Sequence, residues 1–113
     1  MREAAANLAY ASRMAAAAAL GDARLFGESI CDRLIEPHRA RMIPNFYGVK
    51  AAALEAGALG CSIAGGGPSL FAVGGNPEEV GRAMADAFQE AGVESTLYYS
   101  KPSSTGVRVL DEL

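Results

Sequence analysis

The chain has 113 residues, half of them hydrophobic and a fifth charged, which suits one soluble globular domain with a modest core. A net charge of −3 excludes the basic footprint of a nucleic-acid binder, and the longest apolar run, Met14–Leu20, is seven residues where a membrane span needs about twenty. No secretory apolar stretch opens the sequence, and Cys31 and Cys61 lack metal-ligand spacing, so both read as free thiols of a reducing cytosol.

Residues 3–20 are alanine-rich and predict a helix, one with too little side-chain surface to be stable without packing partners. Gly21 ends it. Asp22 predicts the cap of a second helix running to about Leu34, with Leu25, Phe26, Ile30 and Leu34 near one face. Pro37 and Pro44 bracket a short segment, His38–Ile43. Asn45 predicts the cap of a helix that reaches Ala56 and stops at Gly57. Two apolar runs, Leu59–Ala64 and Ser69–Val73, then flank a Gly65-Gly66-Gly67-Pro68 turn and predict a hairpin.

A helix starting at Asn76 has the clearest signature. Pro77 stands at its first position, Glu79 completes an Asn-x-x-Glu capping box, Gly92 closes it, and Val80, Met84, Ala87, Phe88 and Ala91 form one face. The alternation in Val93–Ser100 and in residues 106–110 predicts two further strands. The order of helices, then α-β-β-α-β-β, predicts an α+β fold with helices packed on one face of a small antiparallel sheet, preceded by a helical segment.

Two places carry candidate chemistry. Three successive glycines exceed what a hairpin requires, so the turn reads either as a plain turn or as a loop whose free N–H groups face an anion or substrate, with Ser62 and Ser69 as flanking hydroxyls. The P-loop spacing and its lysine are missing. Pro37 fixes the backbone beside Arg39, whose guanidinium suits a carboxylate or phosphate. Spacing alone favours a solvated arginine paired with Glu36. His38 reads as a surface residue, and Glu78, Glu79, Asp86 and Glu90 as the polar face of their helix.

Three motifs go further. Asp32-Arg33-Leu34-Ile35-Glu36-Pro37-His38-Arg39, followed by Ile43-Pro44-Asn45-Phe46, resembles the D-x-[IL]-x-E-P-x-R…[LI]-I-P-G-[FM] stretch of homoserine kinases. Gly60–Ser69 resembles their G-x-[ST]-I-S-G-[AS]-G-P-[ST] loop, and Thr105–Leu110 is similar to their terminal D-x-x-G-A-R-V-L. These enzymes belong to the GHMP kinase superfamily and move the γ-phosphate of ATP, with Mg²⁺, to the hydroxyl of L-homoserine on the route to threonine.

The resemblance covers the C-terminal third of that family and implies its ferredoxin-like C-terminal domain over 44–113. Residues 1–43 would be a helical segment continuous with a missing N-terminal domain. The family's ATP loop and magnesium ligands have no counterpart, so the resemblance implies a portion that is inactive without that domain, because phosphoryl transfer needs the nucleotide cradle. Neither ATP nor Mg²⁺ is expected to bind it tightly. Residue by residue, Arg39 matches the arginine that grips the substrate carboxylate. Gly65, Gly66 and Gly67 match the loop that packs beside the phosphate loop, and Ser62 and Ser69 match its hydroxyl positions. Ala64 departs from the usual Ser and Asn45 from the usual Gly.

The expected partners are L-homoserine, bound weakly, the missing kinase domain, and a second copy docked on the faces that domain would leave exposed. The expected location is the cytoplasm, or the plastid for a plant or algal protein. The alternatives are a stand-alone amino-acid-binding or regulatory module and, less well supported by the E-P-x-R stretch, another GHMP kinase such as a mevalonate-pathway enzyme.

Overall fold

The structure, a computed structural model, describes residues 1–110; residues 111–113, the end of the expected C-terminal domain, lie outside the described residues. Helix α1 spans Arg2–Leu20, and Gly21 closes it in the left-handed conformation (φ 72°). The N–H groups of Gly21 and Asp22 return to Ala18 and Ala17. The Asp22 carboxylate then accepts from the Leu25 N–H and starts α2, Ala23–Glu28.

Helix α2 stops at Glu28, short of the Leu34 that the sequence predicts. Two side chains end it. The Ser29 hydroxyl donates to the Leu25 carbonyl (2.6 Å), and Arg13 of α1 donates to the Glu28 carbonyl (3.0 Å) and to the Ser29 hydroxyl (2.8 Å). Beyond, Asp32 draws the next backbone N–H groups into a turn of its own. A four-residue helix α3, Glu36–Arg39, runs into a 3-10 turn, Ala40–Met42.

Helix α4, Phe46–Glu55, follows Asn45, whose backbone is left-handed (φ 55°). The predicted cap does not form there. The Asn45 amide instead donates to the Ala87 carbonyl (2.8 Å) near the C-terminal end of α5, Pro77–Glu90. Asparagine tolerates this conformation better than other side chains, apart from glycine. The position is therefore open to glycine as well, and asparagine adds a bond between α4 and α5. At the start of α5, Asn76 accepts from the Glu78 and Glu79 N–H groups as predicted, while the Glu79 carboxylate makes no return bond among the described residues.

The sheet has two antiparallel strands, β1 (Gly60–Ile63) and β2 (Leu70–Val73), with Gly60 opposite Val73 and Ile63 opposite Leu70. Helices α4 and α5 cover the face that carries Cys61, Ile63, Leu70 and Ala72, building the core from Val49, Ala53, Val80, Met84 and Ala87. On the other side α2 comes close enough that glycine is needed on both elements. A Cβ on Gly27 would lie 2.6 Å from the Leu59 carbonyl carbon, and one on Gly60 would meet the Gly27 carbonyl and lie 2.9 Å from Ile30 Cδ1.

The α+β class and the helical lead-in are as expected, but the last two strands are not formed. Residues 93–100 run without a ladder, lining a groove of about 1080 Å³ with Phe26, Leu59, Phe71 and Val73. Tyr99 reaches across it to Gly81 of α5. Val107, Val109 and Leu110 stand in solvent. Alternation makes a strand only where an edge pairs with it and a surface buries one of its faces, and here neither is present.

The contact geometry sets a sharp contrast between two glycines. Gly60→Ala, with no room for its methyl, should lower the unfolding free energy by about 1–3 kcal/mol. Gly66→Ala, with open space around its Cβ and no left-handed φ, should stay within about 0.5 kcal/mol. Urea denaturation of the two variants measures this, and equal losses would disprove the close approach of α2 to β1.

Candidate functional site

The site begins with Asp32. Its Oδ1 accepts from the N–H groups of Leu34 and Ile35 (both 2.9 Å) and from the Asn7 side chain (2.8 Å), and its Oδ2 accepts from the Glu36 N–H (3.0 Å). Asn7 in turn accepts from the Arg33 N–H (2.8 Å). One carboxylate thus fixes the turn before α3 and ties it to α1, 25 residues earlier. Partial burial pushes the Asp32 pKa up. The donors on Ile35, Asn7, Leu34 and Glu36 together outweigh this and hold it below its ordinary value.

Glu36 follows, with Pro37 fixing the first turn of α3. Its carboxylate is buried and fully engaged. Lys50 of α4 donates to both oxygens (3.1 and 3.0 Å), and the Ser62 hydroxyl of β1 donates to Oε1 (2.7 Å). This is the one salt bridge among the described residues. Cys61, next to Ser62, is buried, and burial pushes its thiol up to about 11. The Lys50 ammonium opposes that and the Glu36 carboxylate adds to it. Cys61 is thus a neutral thiol near pH 7, and Cys31 is likewise free of a disulfide.

Arg39 lies one turn beyond Glu36 on the same short helix. Its side chain is exposed and reaches the hairpin loop, Nη1 donating to the Gly66 carbonyl at 3.4 Å. That long contact leaves most of the guanidinium donors free. Spacing favoured a partnership with Glu36, but Glu36 is taken by Lys50 and Ser62. The loop itself is held by Ala64 N–H to the Ser69 carbonyl (2.8 Å) and Gly67 N–H to the Ala64 carbonyl (3.1 Å). Gly65 (φ 59°) and Gly67 (φ 86°) are left-handed, and the Gly67–Pro68 peptide is cis. A Cβ on Gly65 or Gly66 would meet nothing within 4 Å, so the loop is open there, next to the Gly66 carbonyl that Arg39 reaches.

The structure therefore brings Arg39 together with the glycine loop. It places the other two candidate residues differently. Ser62 is buried with its proton committed to Glu36, and Ser69 is exposed and lines the groove, to which Arg39 does not contribute. Asp32, Glu36 and Lys50 belong to the site and were not singled out from the sequence. The first two stood inside the motif that contains Arg39. Lys50 carried no signal, since a lone lysine on a helix ordinarily reads as solvated. His38, Glu78, Glu79, Asp86 and Glu90 are exposed as expected. Among the described residues no group of three or more His, Cys, Asp or Glu side chains could hold a metal ion, and no helix is long and apolar enough to cross a membrane.

The family model described as GHMP kinases C terminal matches residues 14–93. The homoserine kinase of Thermococcus gammatolerans is 40% identical over 101 residues, covering 89% of this chain and 35% of that one. The homoserine kinase of Chlorobium phaeobacteroides is 48% identical over 94 residues, covering 79% and 29%. The crystal structure of homoserine kinase from Cytophaga hutchinsonii superposes with a TM-score of 0.75 at 41% identity, covering 80% of this chain and 30% of that one. The chain spans about a third of the length of the curated relatives it matches.

The Asp32 cap makes a pH-dependent prediction. A carboxylate whose pKa is depressed by folding contributes stability above its unfolded value, and that contribution is lost as pH falls through the folded value. Asp32→Ala should cost about 1–2 kcal/mol at pH 7. The gap to the wild type should begin to narrow below about pH 4, where the unfolded chain takes up the proton, and go on closing as the pH falls through the lower folded value. Urea midpoints from pH 7 to pH 3 read both effects, and a gap that stays constant would remove Asp32 as a charged cap.

Proposed function

The chain belongs to the GHMP kinases, matching their C-terminal domain, and from that premise we propose that it is the substrate-side portion of a homoserine kinase. The full enzyme would transfer the γ-phosphate of ATP to the hydroxyl of L-homoserine. The observation that carries this reading is Arg39, mounted by the Asp32–Glu36 turn and extended over an open glycine loop. A planar guanidinium with free donors suits the α-carboxylate of an amino acid. Gly65, Gly66 and Gly67 would let a second domain's phosphate loop pack against bare backbone, and Ser69 would offer its hydroxyl at the rim. Ser62 would contribute through Glu36, since its own proton is engaged.

The described residues do not suit Mg²⁺–ATP. They hold no acidic cluster of metal-binding size and no loop with the spacing of a nucleotide cradle. We therefore assign nucleotide, metal and catalysis to the N-terminal domain of the full-length enzyme, and this portion alone is inactive. Residues 1–43 would continue that domain and 44–113 would form the C-terminal one. Exposed Leu34, Ile35, Met42 and Tyr47, which flank α3 in the sequence, would meet the N-terminal domain or, in its absence, a second copy. The enzyme would work in the cytoplasm, where its nucleotide is found.

Calorimetric titration of the 113-residue chain tests the reading. L-Homoserine should bind in the millimolar range, about −4 kcal/mol, and Arg39→Ala should abolish that heat. ATP with Mg²⁺ should give no binding. A folded chain that binds neither ligand would favour an interaction module, and tight ATP binding would overturn the assignment of the nucleotide site.

A further inference from the structure

We infer that Glu36, clamped by Lys50 and Ser62, is a positioning residue that fixes Arg39 over the glycine loop. The inference rests on the reading of Arg39 as the carboxylate-binding group, and it adds a residue set which that reading does not contain.

The argument starts from register. Glu36 and Arg39 are three residues apart, so their side chains leave α3 on neighbouring sides. Ser62 and Gly66 are four residues apart along the hairpin, the first in β1 and the second in the loop that follows it. Glu36 meets Ser62 (2.7 Å) and Arg39 meets Gly66 (3.4 Å). The short helix is therefore laid along the hairpin by two contacts, and the strong one lies beneath the weak one. An exposed arginine with a single long hydrogen bond cannot hold its own direction. A buried carboxylate bonded by a lysine from α4 and a serine from β1 can hold the backbone from which that arginine projects.

Energetics point the same way. Burying an ion pair seldom adds stability over an apolar pair of the same size, because both ions must leave water. Lys50 stands over the buried Phe46 ring, 5.9 Å from its centroid, so the pair borders the apolar core. What the charged pair adds is direction. The bidentate lysine contact and the serine hydroxyl admit one placement of the carboxylate, and Pro37 carries that placement into the helix.

The test uses nuclear magnetic resonance on the 113-residue chain, following the Arg39 side-chain Nε–H signal and the L-homoserine dissociation constant together. In the wild type the Arg39 signal should be dispersed, with the relaxation of an ordered group. Glu36→Gln keeps the shape and an acceptor for Ser62 but removes the charge that holds Lys50. It should move the Arg39 signal to the position of free arginine and weaken homoserine by about three- to tenfold, the ordering cost of one side chain. The backbone amides of α4 and α5 should stay in place. Ser62→Ala removes one leg of the clamp with little volume change. It should give a smaller shift in the same direction, and it decides the matter if Glu36→Gln fails to fold.

An Arg39 signal already averaged in the wild type, or unmoved in both variants, overturns the inference. The two readings fail separately. A wild-type chain that ignores homoserine, while its Arg39 signal still collapses in Glu36→Gln, keeps the clamp and sinks the substrate assignment. Homoserine binding that is lost in Arg39→Ala but intact in Glu36→Gln, with the signal unmoved, sinks the clamp alone.

Discussion

A buried carboxylate organises this molecule. Glu36 sits where α3, α4 and β1 converge, and leaving it unpaired there would be worth several kcal/mol of destabilisation. The chain has to bring Lys50 and Ser62 to it, and in doing so it sets three elements in one arrangement. Lys50 reaches Glu36 from α4, whose Phe46, Val49 and Ala53 point inward to the core that α5 completes with Val80, Met84 and Ala87. Ser62 fixes which face of β1 looks at α3, which leaves Cys61 and Ile63 for the opposite, apolar side. Hydrophobic burial supplies most of the stability, but many packings would bury as much. The polar cluster selects among them.

A second constraint acts on the other side of the hairpin. Helix α2 crosses β1 with Gly27 against Gly60, backbone to backbone, and the alanine-rich α1 packs against α2. With little side-chain surface of its own, α1 is held by polar bonds from two side chains within its length: Asn7 to Asp32 and Arg33, and Arg13 to Glu28 and Ser29. Both sets land on the stretch between α2 and α3. The N-terminal helix is thus connected to the turn that carries Glu36 and Arg39, and displacement of α1 would be felt there before it was felt in the core.

Local chemistry made part of this readable in the sequence. Gly21, Asp22 and Asn76 mark helix ends through capping bonds that involve residues at most five positions away, and Pro77 through its fixed φ, so their meaning is contained in the string of letters. The period of α5 and the glycine turn of the hairpin are local in the same sense. The parts that were not legible depend on distant partners. Asn45 looks like the cap of α4, and its side chain bonds Ala87 instead, 42 residues on. The second helix looks continuous to Leu34, but Arg13 of α1 bonds the Glu28 carbonyl and Ser29 at its end, 15 and 16 residues on. Residues 93–100 and 106–110 alternate like strands, and without a pairing edge the alternation has nothing to act on. In the site, Arg39 and the glycines stood out by type and motif. Lys50 did not, because only folding brings α4 to Glu36.

Exposure of Arg39 bears on how such a portion of an enzyme would work. An ion pair open to water contributes about 0–1 kcal/mol, because solvent screens the charge and the long side chain must be ordered. The same pair covered by protein would feel a lower effective dielectric and be several times stronger. Under the reading proposed above, the N-terminal domain would supply that cover in addition to the nucleotide. Docked on the bare glycine loop, it would exclude water from the space beneath Arg39 and raise the grip on a carboxylate when phosphate and acceptor hydroxyl are brought together. A guanidinium aimed in advance suits that task, since no ordering is left to be done when the domains close. The division of the site would then be part of its chemistry: one half pre-aimed and weak, the other completing it by burial.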